Sequence, residues 1–334
     1  MSGPTSGLEL SDARWFAADL HVPHRAVHML RLDEDIVERS AFLDTRIEAQ
    51  LADATPVELA RVPAELPQAP VGWLFHTSFC ASTLLARTLH LSPYSVALKE
   101  PLVLRRLSDA RHGGHAVDSL LAPCVRLLAR PWHPDGAVVI KPTHPALNLA
   151  VDLLAATPAS KAIVLTCSLP EFLISNLKKP PESQAKIPTL IERALAATTF
   201  RQRLPPAALR PPDPICAAGL QWAAQRELVL DVVEAVGAAR IRVLDMQPLL
   251  DDLAGTVEQC ARWFALPLPA EPLAQHARAE GARNAKATTV PYGPERRAHE
   301  AGIVVQHFRD PLAAAQRWLA AHVLPSMRSA AIAP

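Results

Sequence analysis

The sequence predicts an α/β fold in which a parallel central sheet carries helices on both faces. Two observations support this fold class. Short apolar runs rich in Val, Ile and Leu recur between residues 71 and 167, and amphipathic segments of helical length separate them. Strands buried on both faces of a parallel sheet appear as continuous apolar runs, and each parallel connection needs a crossover segment, usually a helix.

Each element follows from its own pattern. The predicted strands are GWLFH (72–76), YSVALKE (94–100), GAVVIKP (136–142), KAIVLTC (161–167) and ARIRVLDM (239–246). Apolar residues at helical spacing predict helices at 82–91, 101–110, 117–130, 146–157, 169–179, 189–201 and 215–236, with a further pair near 247–265. Ligands of such sheets bind beyond the carboxyl ends of the strands, so functional residues are expected there.

The order of these patterns predicts three parts. Residues 1–70 read as an N-terminal extension packed on the main domain, with a helix near 36–50 and a proline-rich link at its end. Residues 71–297 form the α/β domain. Within it, proline-rich stretches flank one helix at 180–213, which predicts a mobile insertion or lid. Residues 298–334 are predicted to be C-terminal helices that cover the surface.

Composition narrows the classes of function. The chain has 34 Lys and Arg against 33 Asp and Glu, so no bulk positive charge favours nucleic acid. Five scattered cysteines without a CxxC pair suit a reducing compartment. There is no apolar run long enough for a membrane span and no signal-like start, so a cytoplasmic protein is expected. The histidine pairs in HGGH and HVPH lack nearby ligands, and no metal site is expected.

The stretch HTSFCASTLL, residues 76–85, links a predicted strand to a predicted helix. Aligned to the Walker pattern GxxxxGK[ST], it places His76 and Ala81 on the glycines and Ser82 on the lysine, which argues against a standard ATPase or GTPase. Small and hydroxyl residues entering a helix still suit an anion, because free N–H groups and the helix dipole attract one. An ordinary helix capped by Ser82 or Thr83 is the alternative.

Further motifs resemble the sulfotransferase family. They are the loop SFCASTLL, YSVALKEPLVLRRL, VVIKPTHP, AIVLTCSLPEFLISNLKK and IRVLDMQPLLDDLAGTVEQCARWFALPLP, in the family's order over roughly residues 70 to 290. The resemblance implies a P-loop-like fold and a phosphate loop that holds the donor 3′-phosphoadenosine 5′-phosphosulfate (PAPS) without a metal. The loop residues it implies are His76, Thr77, Ser78, Cys80, Ala81, Ser82, Thr83 and Leu84.

Two positions depart from the family pattern. Phe79 stands where the loop usually carries a lysine or arginine, and Cys167 stands where an arginine usually contacts the 3′-phosphate. The serine that usually accompanies that arginine is present as Ser175, eight residues further on. The missing charge is expected to come from other cations, since lysine and arginine make the strong contacts to phosphate. The candidates are Lys99, Lys141, Arg283 and Lys286.

Two residues compete as the general base. Glu100 follows the second predicted strand, where branches of the resembled family carry a catalytic glutamate, although it would also serve as an N-terminal helix acid before Pro101. His144 in IKPTHP is the second candidate, close to Lys141, and a histidine titrates near neutral pH. Glu100 ranks first because Pro142 adds one residue to the histidine motif.

The resemblance therefore implies a sulfotransferase-like enzyme that transfers a sulfuryl group from PAPS to a hydroxyl or amine. The acceptor could be a small molecule, carbohydrate, lipid or peptide. Two other functions remain open on the same scaffold. One is a small-molecule kinase or other nucleotide-dependent transferase, and the other is a noncatalytic nucleotide-binding descendant.

Overall fold

The computed structural model describes residues 8–47 and 53–329. The strands in these ranges are β1 (Trp15–His21), β2 (Ala26–Arg31), β3 (Thr55–Glu58), β4 (Val71–His76), β5 (Ser95–Lys99), β6 (Ala137–Lys141), β7 (Lys161–Thr166) and β8 (Ile241–Asp245). Strands β4 to β8 form a parallel sheet in the order β5-β6-β4-β7-β8. The predicted fold class is confirmed.

Helices follow the strands along the chain. They are α1 (Glu34–Arg39), α2 (Ser82–Thr88), α3 (Leu102–His112), α4 (Asp118–Leu128), α5 (Ala150–Ala156), α6 (Leu169–Leu177), α7 (Pro181–Gln184), α8 (Ile187–Ala196), α9 (Phe200–Arg203), α10 (Pro214–Val236), α11 (Met246–Asp251), α12 (Leu253–Phe264), α13 (Ala270–Gly281), α14 (Pro294–His307) and α15 (Arg309–His322). None of those in the described ranges is long and apolar enough to cross a bilayer.

The central sheet is buried on both faces because its strands alternate between two apolar cores. Trp73 and Phe75 of β4 belong to one core, while Leu74 between them belongs to the other. The first core includes residues of α3, α4 and α5, and the second includes residues of α2, α6 and α10. Since successive side chains of a strand point to opposite faces, helices must cover both sides of this sheet.

The N-terminal residues form a sheet that the sequence did not predict. Strands β1, β2 and β3 pair antiparallel in that order. The fully buried Arg130, just beyond α4, ties this sheet to the main domain by donating to the carbonyls of Leu10, Asp12 and Trp15. Several carbonyl acceptors on one guanidinium offset the cost of burying its charge.

Several predicted helices differ from the observed ones. The helix predicted near 36–50 ends at Arg39, and residues 40–47 form turns, while residues 48–50 lie outside the described ranges. The segment 189–201 divides into α8 and α9, and 146–157 begins as a 3₁₀ turn at 144–149. Proline suits the first position of a helix, where no intrahelical N–H bond is lost, so α14 begins at Pro294, before the predicted start.

Helix α15 packs closely on α10 at Gly219. A Cβ atom added there would lie 2.3 Å from Leu319 Cδ1, closer than side-chain atoms approach one another. In contrast, a Cβ added to Gly302 in α14 would meet nothing within 4 Å. The two glycines therefore form a matched pair of helix positions, one crowded and one open.

We expect Gly219→Ala to lower the free energy of unfolding by roughly 1–3 kcal/mol through overpacking against Leu319. Gly302→Ala should instead raise it by about 0.5–1 kcal/mol, because alanine favours a helix where space is open. Urea denaturation of both variants measures the difference. Equal effects at the two sites would contradict close packing of α15 on α10.

Candidate active site

Three polar side chains meet where neighbouring strands of the sheet end. His76 is the last residue of β4, Lys141 is the last of β6, and Glu100 directly follows β5. Their proximity follows from the strand order, because β6 lies between β5 and β4. The backbone N–H of Glu100 donates to the Lys141 carbonyl at 2.6 Å, which holds the two strand ends together. All three lie at the carboxyl edge, where such sheets bind ligands.

Glu100 and Lys141 form a buried ion pair. The Lys141 Nζ atom lies 2.5 Å from Glu100 Oε1, and the Lys141 side chain is 0% exposed. Burial raises the pKa of Glu100, but the charges of Lys141 and His76 oppose it and lower this pKa to about 2. Glu100 also has a positive φ of 57°, a left-handed backbone that few residues other than glycine adopt. Such strain persists where the surrounding structure fixes it, often at functional sites.

The side chain of His76 lies beside this pair. Its Nδ1 atom is 2.8 Å from the Thr77 carbonyl, its Nε2 atom is 3.0 Å from the Pro142 carbonyl, and Nε2 is 3.9 Å from Glu100 Oε1. Burial and the charge of Lys141 lower the pKa of His76 well below its usual value. The ring therefore bridges the ends of β4 and β6. A role for His76 in a phosphate loop stays a prediction.

The loop after β4 has the backbone of an anion cradle. Phe79 and Ala81 adopt left-handed φ values of 63° and 59° before α2 begins. Within the described ranges, the backbone N–H groups of Phe79, Cys80 and Ala81 make no hydrogen bond. The Thr77 hydroxyl is buried and also lacks a partner in that part of the chain. Consecutive unsatisfied donors in a turn form a concave site for an anion.

Other loop side chains have structural partners. The Ser78 backbone N–H donates to Gln225 Oε1 at 3.1 Å, and its hydroxyl accepts from Gln225 Nε2 at 3.1 Å. The Cys80 thiol donates to the Thr77 carbonyl, and burial raises its pKa to about 11. Three further predicted residues lie buried in the first turn of α2, namely Ser82, Thr83 and Leu84. The hydrogen bonds of Gln225 thus attach the loop to α10.

Four cations from other segments of the chain lie near the rings of Phe79 and Phe42. The Lys179 Nζ atom lies 5.4 Å from the centre of the Phe79 ring. Around the Phe42 ring lie Arg46, Lys286 and Lys141, at 3.8, 5.5 and 5.8 Å from its centre. Although Lys286 is exposed as a whole residue, desolvation of its ammonium group and the nearby charge of Lys179 lower its pKa to about 8. Lys141 is paired with Glu100 and Arg46 with Asp44, so Lys179 and Lys286 supply the positive charge that favours binding of an anion.

The residues predicted to contact the 3′-phosphate differ in their burial and in their partners. Cys167 is fully buried, its thiol lies 3.6 Å from the Ser78 carbonyl, and burial raises its pKa well above the usual value. It supplies no charge. Ser175 is half-buried on α6. Arg283 is paired at 2.8 Å with the buried Glu280.

Lys99 contacts a different part of the chain from Glu100. Its ammonium group donates to the carbonyls of Val37 and Glu38 at 2.7 and 3.2 Å, at the end of α1. Burial lowers its pKa to about 7. These contacts place Lys99 beneath the N-terminal segment. In contrast, Lys141 is paired with Glu100, and Lys286 lies near the Phe42 ring.

Arg226 on α10 is a cation that the sequence analysis did not identify. Its Nη1 atom donates to the Thr166 hydroxyl at 2.7 Å, beside Cys167 at the end of β7. The residue is 5% exposed, and burial lowers its pKa. The only signal in the sequence was the polar run Gln225, Arg226, Glu227 inside an otherwise apolar helix.

His144 lies in the turn after β6, with its Nε2 atom buried and unpartnered within the described residues. Burial lowers its pKa to about 4, although the nearby charge of Glu100 opposes this. The ring is therefore neutral at pH 7. Its centre lies 6.2 Å from that of His76, whose Nε2 atom lies 3.9 Å from Glu100 Oε1, so both candidate bases, His144 and Glu100, are in the same region.

The remaining histidine motifs carry no ligand set. The rings of His21 and His24 are tilted by 38° with centres 4.1 Å apart, and His112 lies at the end of α3. No group of three or more histidine, cysteine, aspartate or glutamate residues suited to a metal occurs in residues 8–47 and 53–329.

Comparisons with known proteins gave structural similarities only. No protein-family model matches the chain. None of the curated proteins matches it in sequence. A sulfotransferase from Alicyclobacillus acidocaldarius matches at 12% identity and a TM-score of 0.40, over 79% of this chain and 99% of its own. The sulfotransferase domain from the curacin biosynthetic pathway matches at 13% identity and a TM-score of 0.38, over 80% of this chain and 96% of its own. The sulfotransferase domain from the Synechococcus olefin synthase matches at 14% identity and a TM-score of 0.35, over 75% of this chain and 90% of its own.

Proposed function

We propose that the protein is a sulfotransferase that transfers a sulfuryl group from PAPS to an acceptor hydroxyl. The observation that carries this proposal is the loop at 77–81, whose unsatisfied N–H groups and buried Thr77 hydroxyl lie next to the Lys141–Glu100 pair. The Walker lysine position holds Ser82, which is buried in α2 and carries no charge. A donor that needs no metal suits this loop better than ATP with magnesium does.

The residues present fit an anionic donor. When bound, PAPS supplies a sulfuryl group activated by its bond to a phosphate. The loop N–H groups would hold the oxygens of the 5′ end, and Lys141, Lys179 and Lys286 would balance their charge. For the 3′-phosphate, Ser175 and a basic residue of the 281–297 loop remain the proposed contacts, with Lys286 favoured because Arg283 is paired with Glu280. Arg226 adds positive charge beside Cys167.

We propose His144 as the general base. Its neutral, unpartnered Nε2 atom can accept the acceptor proton directly, whereas the Glu100 carboxylate is paired with Lys141 and has its pKa lowered to about 2. A base works better the nearer its pKa lies to the operating pH, and the pKa of His144, about 4, lies nearer to neutral than that of Glu100. As His144 takes the proton, the acceptor oxygen bonds to sulfur, and the sulfur–oxygen bond to the phosphate breaks with its electron pair kept by the phosphate.

The arrangement of segments supports the proposed domain boundaries. Helix α8, inside residues 180–213, places Leu190, Arg193 and Ala194 beside His144. This supports the interpretation of that segment as a lid over the acceptor side of residues 71–297. The flanking parts, 1–70 and 298–334, would then serve to support the catalytic domain.

We expect adenosine 3′,5′-bisphosphate, the donor product, to raise the melting temperature by a few degrees, since a ligand at 100 times its Kd adds about 2.7 kcal/mol. Lys286→Ala should weaken that binding roughly tenfold, because it removes a charge-assisted contact to phosphate. Lys186→Ala, which removes an exposed lysine from the start of α8, is the charge-matched control and should bind as the wild type does.

The same measurement separates the alternatives. Stabilisation by ATP with magnesium but not by the bisphosphate would favour a kinase. Binding of the bisphosphate without turnover of PAPS against a broad acceptor panel would favour a noncatalytic descendant. If Lys286→Ala and Lys186→Ala bind alike, Lys286 is not part of the donor site.

A further inference from the structure

A small cavity lies on the acceptor side of the site, next to His76 and Gln225. Its volume is about 20 Å³, which is room for one water molecule or one hydroxyl group. The walls come from α3, the 144–149 turn, α8 and α10. Apolar side chains of Pro145, Leu147, Leu190, Ala194 and Leu228 form much of the surface.

Three of the residues that line this cavity have a buried polar atom with no partner among the described residues. These atoms are His144 Nε2, Asn148 Oδ1 and Arg193 Nε. Buried polar atoms are nearly always hydrogen-bonded, so three unsatisfied atoms around one cavity indicate an occupant that the protein itself does not provide.

Other polar atoms of Asn148 and Arg193 already have partners, which determines whether the free atom of each side chain is a donor or an acceptor. Asn148 Nδ2 donates to the Ser108 carbonyl at 3.3 Å, so Oδ1 is the free acceptor. Arg193 is held by an ion pair between Nη1 and Asp109, so its Nε–H is the free donor. The neutral His144 ring offers a second acceptor when Nε2 is unprotonated. The residues that line the cavity thus hold one unpaired donor and two unpaired acceptors.

We propose that this cavity is the acceptor subsite and takes the slender hydroxyl end of an uncharged alcohol, such as a primary alcohol or a sugar hydroxymethyl group. The role as acceptor subsite rests on the proposed sulfotransferase function. The oxygen of such a hydroxyl can accept a hydrogen bond from Arg193 Nε–H, and its O–H can donate one to Asn148 Oδ1 or His144 Nε2. An ammonium group has no acceptor for Arg193 and adds charge beside it, and an aromatic ring exceeds the volume.

The test uses the full chain with ¹⁵N-labelled histidine and no donor nucleotide. Ethanol is titrated against ethylammonium chloride of the same carbon number, and phenol is the third probe. The His144 resonances, assigned by their loss in His144→Gln, should shift with ethanol and stay unchanged with the other two. Asn148→Ala should raise the dissociation constant of ethanol about tenfold, the equivalent of one lost hydrogen bond.

Ser108→Ala is the matched control. Ser108 lines the same cavity, but its hydroxyl already donates to the Pro145 carbonyl at 3.0 Å, so this variant should keep the wild-type affinity for ethanol. If Asn148→Ala fails to fold, Arg193→Lys removes the Nε–H donor while it keeps the charge, and the same tenfold loss is expected.

Three results would each overturn the subsite. They are no shift with ethanol, an equal shift with ethylammonium or phenol, and equal weakening by Asn148→Ala and Ser108→Ala. Binding of adenosine 3′,5′-bisphosphate, measured on the same samples, reports on the proposed function separately. A chain that binds the bisphosphate but fails the ethanol test loses only the subsite.

Discussion

Replacing His144 by alanine is expected to lower turnover roughly 10²–10⁴-fold while leaving nucleotide affinity nearly unchanged, the usual signature of a lost general base. The expectation rests on the buried, unpartnered Nε2 atom and on burial that lowers the pKa of His144 to about 4. The ring is then unprotonated across the neutral range and ready to accept a proton. The measurement is steady-state kinetics with PAPS and an identified acceptor.

Glu100→Gln is the companion variant, because it keeps the side-chain shape and removes the basicity. We expect a smaller loss than for His144→Ala, since Glu100 would act on Lys141 and not on the acceptor. The pH profile gives an independent readout. If His144 is the base, kcat/KM should fall as pH drops below about 4, where His144 becomes protonated.

The opposite pattern would assign the base to Glu100. A His144→Ala enzyme with nearly full turnover, beside an inactive Glu100→Gln enzyme, would do so. An acidic limb that continues down towards pH 2, the value to which Lys141 and His76 hold the pKa of Glu100, would point the same way.

The central sheet was predictable because its strands are short and continuously apolar. In β5 and β6 every residue is buried, and the polar residues Ser95, Lys99 and Lys141 stand only at the strand ends. The antiparallel N-terminal sheet escaped prediction for a related reason. β1 buries Phe16, Ala17 and Ala18 in succession, so it lacks the alternation that marks a strand with one exposed face.

The candidate site was predictable where it follows a strand end and unpredictable where it depends on packing. His76, Glu100 and Lys141 each end or follow a strand, so the fold brings them to one edge. Gln225 and Arg226 reach this region from α10, about 150 and 60 residues from their partners Ser78 and Thr166. No local pattern reports such contacts.

The alternation of side chains along a strand does not predict every contact at this edge of the sheet. Alternation predicts that Lys99 and Glu100 face opposite ways, and they do contact different partners. However, the strand ends at Lys99, and the left-handed backbone at Glu100 sets where the carboxylate points. A non-glycine residue in that conformation has no signature in the sequence, so the ion pair with Lys141 had to be seen in the structure.

Lys141→Met is expected to lower the free energy of unfolding at pH 7 by roughly 3–5 kcal/mol, because it leaves the Glu100 carboxylate buried without its ion-pair partner. The double variant Lys141→Met/Glu100→Gln removes both charges and should recover most of that loss. Urea denaturation of the wild type, both single variants and the double variant measures the coupling between the two residues. Turnover should stay low in the double variant, since the ammonium group proposed to balance the charge of the donor is still missing.

Acid provides the final test of the same pair. The pKa of Glu100 is lowered from 4.5 to about 2, so its stabilisation is fully present above pH 4.5 and is lost as pH falls from there towards 2. The wild type should therefore lose more stability between pH 5 and pH 3 than Glu100→Gln, which has no proton to take up at this position. Equal acid sensitivity of the two proteins, together with a double variant no more stable than Lys141→Met, would mean that the ion pair neither holds the strand ends together nor keeps Glu100 charged.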